Sequence, residues 1–159
     1  PITYPSAVNS LVTYIHKPSE EQSKSAGMYN YEGDFSPEFE FGFGLSYTTF
    51  GYSNLTLSSD RIKGNEVLTV SVTVTNTGKR EGKEVVQLYT SDKVASITPD
   101  MKRLRRFEKI GLKPGESRKV SFTLTSSDLA FVNARNQCVT EPVEFSIAIG
   151  NLQASFWYE

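Results

Sequence analysis

Four stretches of the chain repeat an alternation of apolar and polar positions. Leu68, Val70, Val72 and Val74 are interleaved with Thr69, Ser71, Thr73 and Thr75. Val86 and Leu88 carry the same pattern through Lys83–Thr90. Val120, Phe122 and Leu124 alternate with Lys119, Ser121 and Thr123, and Val143, Phe145, Ile147 and Ile149 with Glu144, Ser146 and Ala148. A period of two sends successive side chains to opposite faces, so each stretch predicts a strand with one dry and one wet face. Shorter candidates are Tyr52–Leu57, Phe107–Ile110 and Ala154–Tyr158. Turn chemistry separates them: Asn76-Thr77-Gly78 ends one strand, and in Lys113-Pro114-Gly115-Glu116 the proline fixes φ while the glycine tolerates φ > 0. The best helical candidate is one turn at Ser126–Leu129, with Ser or Asp as its cap. About seven short strands between turns predict an all-β, immunoglobulin-like antiparallel sandwich over residues 50–159, a span of the usual size for that fold.

Residues 1–49 have a different character and are expected to form a separate region. Ile2 and Tyr4 suggest a short strand ended by Pro5, and Leu11–Ile15 is a second β-favouring run closed by Lys17-Pro18. Residues 19–27 are polar and rich in breakers, which predicts an exposed loop. Eight aromatic residues then follow: Tyr29, Tyr31, Phe35, Phe39, Phe41, Phe43, Tyr47 and Phe50. Gly33, Gly42 and Gly44 interrupt them, so the string is expected to be an extended, aromatic-rich segment that lays its rings on another surface.

Composition narrows the function. Lys and Arg number 17 and Asp and Glu 18, a net charge of −1 that lacks the basic excess of a nucleic-acid binder. No run reaches the ~18 apolar residues of a membrane span. A single Cys138 and a single His16 provide neither an internal disulfide nor a zinc cluster. The first residues, Pro1-Ile2-Thr3-Tyr4-Pro5, carry no visible secretory leader, as expected of a mature chain or of a piece of a longer one.

Candidate chemistry is sparse. Gly42-Phe43-Gly44 lacks the Lys-Ser/Thr of a phosphate loop and is expected to let a tight bend pass between large rings. The carboxylate pairs Glu32/Asp34 and Glu38/Glu40 have the spacing to share a strand face, as glycoside hydrolysis would require, but solvated loop charges are the expected state. The basic run Lys102-Arg103-Leu104-Arg105-Arg106 with Lys109 predicts a solvated strand face or an interdomain contact. Leu104 and Phe107 would turn elsewhere, and Arg105 or Arg106 would be free to stack on the leader's rings. Tyr89, Phe131, Trp157 and Tyr158 are candidates for sugar stacking, with core or interface packing the commoner fate. Asn54-Leu55-Thr56 is a formal N-glycosylation sequon, relevant in a eukaryotic secreted protein. Cys138 is expected to pack as a small hydrophobe or to sit in an exposed loop, and His16 to be exposed. No cofactor and no self-contained catalytic centre are expected.

The stretch Phe39-Glu40-Phe41-Gly42-Phe43-Gly44-Leu45-Ser46-Tyr47-Thr48-Thr49-Phe50 resembles a hallmark of glycoside hydrolase family 3, found just before a fibronectin type III-like domain. Val74–Gly78, Gly82–Tyr89, Arg103–Ile110, Leu112–Ser117 and Val120–Leu124 are similar, in order, to that domain's strands and turns. Pro1–Pro5 is similar to the end of the family's α/β sandwich domain, and Glu40 departs from a proline usual at its position. The resemblance covers essentially the whole chain. It implies a retaining β-glucosidase-type enzyme whose nucleophilic Asp lies on a barrel domain and whose acid/base Glu lies on the α/β sandwich domain, both upstream of this chain. No position here matches either motif, so the chain by itself is expected to be inactive. The resemblance further implies two regions, 1–49 (the end of the α/β sandwich domain plus an aromatic linker) and 50–159 (the fibronectin type III-like domain). The expected partners are the missing catalytic domains, with Phe39, Phe41, Phe43 and Tyr47 packing between domains. A bound oligosaccharide at loop 20–34 and a periplasmic or secreted location complete the expectation. The competing class is a free-standing carbohydrate-binding module.

Overall fold

The computed structural model describes residues 3–5, 24, 25, 31, 32, 37–97 and 102–159. The predicted strand Leu11–Ile15, His16, Tyr29, Asp34, Phe35 and most of loop 20–34 lie outside the described residues. Four short strands belong to the leader: β1 (Tyr4–Pro5), β2 (Lys24–Ser25), β3 (Tyr31–Glu32) and β4 (Pro37–Phe39). β1 pairs antiparallel with β4, and β2 with β3. Pro5 is the last residue of the first strand.

The remaining elements build two facing sheets. One contains β5 (Phe50–Leu57), β7 (Leu68–Asn76) and β10 (Ser117–Leu124), in the order β10-β7-β5. The other contains β6 (Arg61–Ile62), β8 (Gly82–Asp92), β9 (Arg103–Leu112), β13 (Val143–Ile149) and β14 (Leu152–Tyr158), in the order β6-β14-β13-β8-β9. Pairing is antiparallel except between β6 and β14. A two-stranded ribbon, β11 (Phe131–Val132) with β12 (Cys138–Val139), lies outside both sheets and leaves Cys138 exposed.

The alternating stretches became the core. Leu68, Val70, Val72, Val74, Val86, Leu88, Val120, Phe122, Leu124, Phe145, Ile147 and Ile149 are all buried between the sheets. Each buried side chain of this size stabilises the fold by ~1.5–3 kcal/mol relative to exposure. Phe145 and Phe156 face each other across β13 and β14, stacked with centroids 5.6 Å apart. The Lys113–Glu116 turn forms as predicted, with Gly115 at φ 75° and the Glu116 amide donating to the Lys113 carbonyl at 2.9 Å.

The single helical turn, α1 (Ser126–Leu129), is capped differently from expectation. Thr125, not Ser126, occupies the N-cap position, and the Asp128 carboxylate reaches back to accept from the Thr125 amide at 2.9 Å. The same oxygen accepts from Arg106 Nη2 at 2.7 Å, which ties α1 to β9. Desolvation works to raise the Asp128 carboxyl, but the Thr125 amide, the Arg106 guanidinium and the Thr125 hydroxyl together hold it below the usual range.

Candidate docking surface

Between β4 and β5 the chain runs as a strap, residues 40–49, across the outer face of β8 and β9. Its first bend is a turn in which the Phe43 amide donates to the Glu40 carbonyl at 3.0 Å. Gly42 sits there at φ 86°, and a Cβ at that position would collide with Gln87 Oε1 and the Tyr89 hydroxyl. Glycine lets the backbone come close enough to be held: Gln87 Nε2 donates to the Gly42 carbonyl at 3.2 Å. The Tyr89 hydroxyl sits between Gln87 Oε1 and the Phe41 carbonyl, which is 3.4 Å away. Lys102 adds a charged clasp, with Nζ 2.6 Å from Glu40 Oε2 and 5.3 Å above the Tyr89 ring.

The other end of the strap is anchored by Asn76, which is fully buried and fully bonded. Its Oδ1 accepts from Thr48 Oγ1 at 2.7 Å and from the Gly78 amide at 3.1 Å. Its Nδ2 donates to the carbonyls of Arg80 at 2.7 Å and Leu112 at 3.0 Å. One side chain thus joins the strap, the β7–β8 turn and the end of β9. Thr48 fits a slot between Gly78 and Gly82, where any Cβ would strike it. The Thr77 amide closes the anchor by donating to the Thr49 carbonyl at 2.9 Å.

Strap and sheet enclose a groove of about 500 Å³. Phe41, Phe43 and Leu45 line it from the strap, and Val85, Gln87, Leu104 and Phe107 from the sheet, with Lys83 and Glu84 at its margin. Glu84 is fixed by the Tyr52 hydroxyl at 2.7 Å. Burial first, and then the bond to Glu84, push the Tyr52 phenol above its ordinary range. The rim is apolar and wet: Phe43 is 55% exposed, Leu45 91% and Phe107 67%. Apolar side chains this open, clustered around one concavity, form a contiguous patch rather than scattered surface apolars.

Of the residues expected to pack between domains, Phe39, Phe41 and Phe43 come together. Phe39 stacks on Phe43 with centroids 4.8 Å apart, and Tyr4 meets Phe39 edge-on at 6.4 Å. Tyr47 does not line the groove and projects into solvent from the far end of the strap.

The sequence pattern missed Leu104 and Phe107, which do line the groove rather than turning away from it. The reason is a bulge in β9: Leu88 pairs with Arg106 but Tyr89 with Leu104, so Arg105 is an extra residue. Parity shifts there, and Leu104 joins Phe107 on the outer face. Arg105 Nε donates to Thr90 Oγ1 at 2.9 Å, and Arg106 Nη2 donates to Asp128.

The four sugar-stacking candidates share no platform. Phe131 is buried, Tyr89 lies beneath Lys102, and the Tyr158 hydroxyl donates to the Gly64 carbonyl at 3.3 Å. Trp157 alone of the four presents an open ring, on β14. Glu38 and Glu40 are both exposed. Among the described residues no group of three or more His, Cys, Asp or Glu could hold a metal ion. No described helix is long and apolar enough to cross a membrane.

Known proteins resemble this arrangement. A family model described as a fibronectin type III-like domain matches residues 84–153. A β-xylosidase of Formosa agariphila is 44% identical over 150 residues, covering 94% of this chain and 20% of that protein. A periplasmic β-glucosidase of Salmonella typhimurium is 42% identical over 157 residues, again covering 94% and 20%. The crystal structure of a β-glucosidase from Listeria innocua in complex with gluconolactone superposes with a TM-score of 0.86 at 28% identity, covering 98% of this chain and 23% of that one. The chain therefore spans about a fifth of the length of the curated relatives it matches.

Proposed function

We propose that this chain, which belongs to glycoside hydrolase family 3 as its fibronectin type III-like segment, is a non-catalytic scaffold that docks the rest of a longer enzyme on its aromatic groove. The observation that carries this reading is the rigidly held strap with an open apolar rim. Phe43, Leu45 and Phe107 remain exposed beside the groove, while Gln87, Tyr89, Lys102 and Asn76 fix the backbone that presents them. A surface organised before its partner arrives loses little entropy on docking. The proposed occupant is polypeptide of the same protein, since relatives about five times as long carry the matching segment. The proposed unit that folds with the sandwich begins near Pro37 rather than at Phe50, because the strap's hydrogen bonds run to β7 and β8.

The longer protein is proposed to hydrolyse β-glucosides, with its two catalytic carboxylates on polypeptide outside this chain. The similar enzymes named for β-glucosides and β-xylosides support this reading of the chemistry. Loop 20–34, most of which lies outside the described residues, is proposed to border the substrate. A periplasmic or secreted location is proposed by analogy with the Salmonella typhimurium relative. With a chromogenic β-glucoside, the complete enzyme should turn over and this chain should not. Deleting the loop from the complete enzyme should change the KM ratio between long and short substrates. Turnover by this chain would refute the scaffold assignment, and an unchanged ratio would remove the loop from the substrate rim.

A further inference from the structure

The hydrophobic pattern of β5 is out of step with period two: Tyr52, Leu55 and Leu57 pack against the core, three and then two residues apart. The structure accounts for this with a bulge. Ser53 pairs with Thr73 and Thr56 with Ser71, so Asn54 and Leu55 together oppose Val72. Asn54 is the inserted residue. It is exposed and stands at φ 54°, a left-handed conformation that asparagine tolerates better than most residues. Thr56 is exposed two positions on, while Leu55 between them turns to the core. β5 is also an edge of its three-stranded sheet.

We propose that Asn54 is the acceptor of an N-linked glycan. Asn54-Leu55-Thr56 is the one Asn-x-Ser/Thr sequence in the chain. In the transfer, Asn54 Nδ2 forms a bond to the anomeric carbon of an oligosaccharide carried on a polyprenyl diphosphate. The bond from that carbon to the diphosphate oxygen breaks, the polyprenyl diphosphate leaves with the electron pair, and the amide gives up one proton. The Thr56 hydroxyl supplies the recognition group of the sequon. The bulge interrupts pairing with β7 at the acceptor and turns its side chain to solvent, so the folded sandwich accommodates the added sugar. The glycan would cover an open sheet edge, where unpaired backbone groups invite pairing with another chain. Asn54 does not line the groove, so this assignment and the docking reading stand or fall separately.

The test is secretion of the chain from a eukaryotic host that performs N-glycosylation, followed by intact mass measurement before and after peptide N-glycanase. One enzyme-removable glycan is expected on the unaltered chain and on Thr56→Ser, and none on Asn54→Gln or Thr56→Ala. Thr56→Ala keeps the asparagine and its backbone geometry, so a folding defect in Asn54→Gln does not decide the outcome. An unmodified secreted chain, or a glycan that persists in Thr56→Ala, would overturn the proposal.

Discussion

At the residue scale, Asn76 does more than end a strand. Its amide holds the strap, a turn and a neighbouring strand from one fully buried position. Asn76→Ala strands the Arg80 and Leu112 carbonyls without a donor and releases Thr48. The expected cost is about 2–3 kcal/mol in urea denaturation, since each buried group left unpaired costs ~1–3 kcal/mol. A loss below ~0.5 kcal/mol, the range of ordinary surface changes, would show that the network is dispensable. The sequence marked Asn76 as turn chemistry, and its local role was legible. Two of its partners, Thr48 and Leu112, lie 28 and 36 positions away in the chain, a distance at which local patterning carries no information. Gly42 was legible in the same partial way. A bend between rings was predictable, but not that Gln87 and Tyr89 would occupy the space a side chain needs.

At the element scale, alternation located β7, β10 and β13 almost to the residue, because one face of each is dry throughout. Legibility failed where a bulge inserts a residue. Asn54 displaced the inward set of β5, and Arg105 moved Leu104 onto the groove face of β9. The strap offered no sustained period, since it is held by separate bonds from its backbone carbonyls, Glu40 and Thr48 to side chains far away in the chain. It nonetheless belongs to the sandwich physically. A chain beginning at Pro37 should therefore melt higher than one beginning at Phe50, which loses the bonds to Gln87, Tyr89, Lys102 and Asn76. Equal melting temperatures would return the strap to the status of a linker.

At the scale of the whole molecule, a small sandwich with a complete core does not need an exposed groove for its own stability. The proposed role of the open rings is half of an interface whose other half lies on further polypeptide. Their exposure gives the reading a sharp signature, because a substitution there should be felt only when the partner is present. The decisive measurement is thermal and urea denaturation of Phe43→Ala and Phe107→Ala, each made in this chain and in the complete enzyme. In this chain both variants should stay within ~0.5 kcal/mol of the unaltered protein, as solvent-facing changes do. In the complete enzyme each should lose about 1–2 kcal/mol, the value of burying the exposed part of a phenylalanine ring. Equal effects in both settings would contradict the account, for the groove would then be free surface in the enzyme as well.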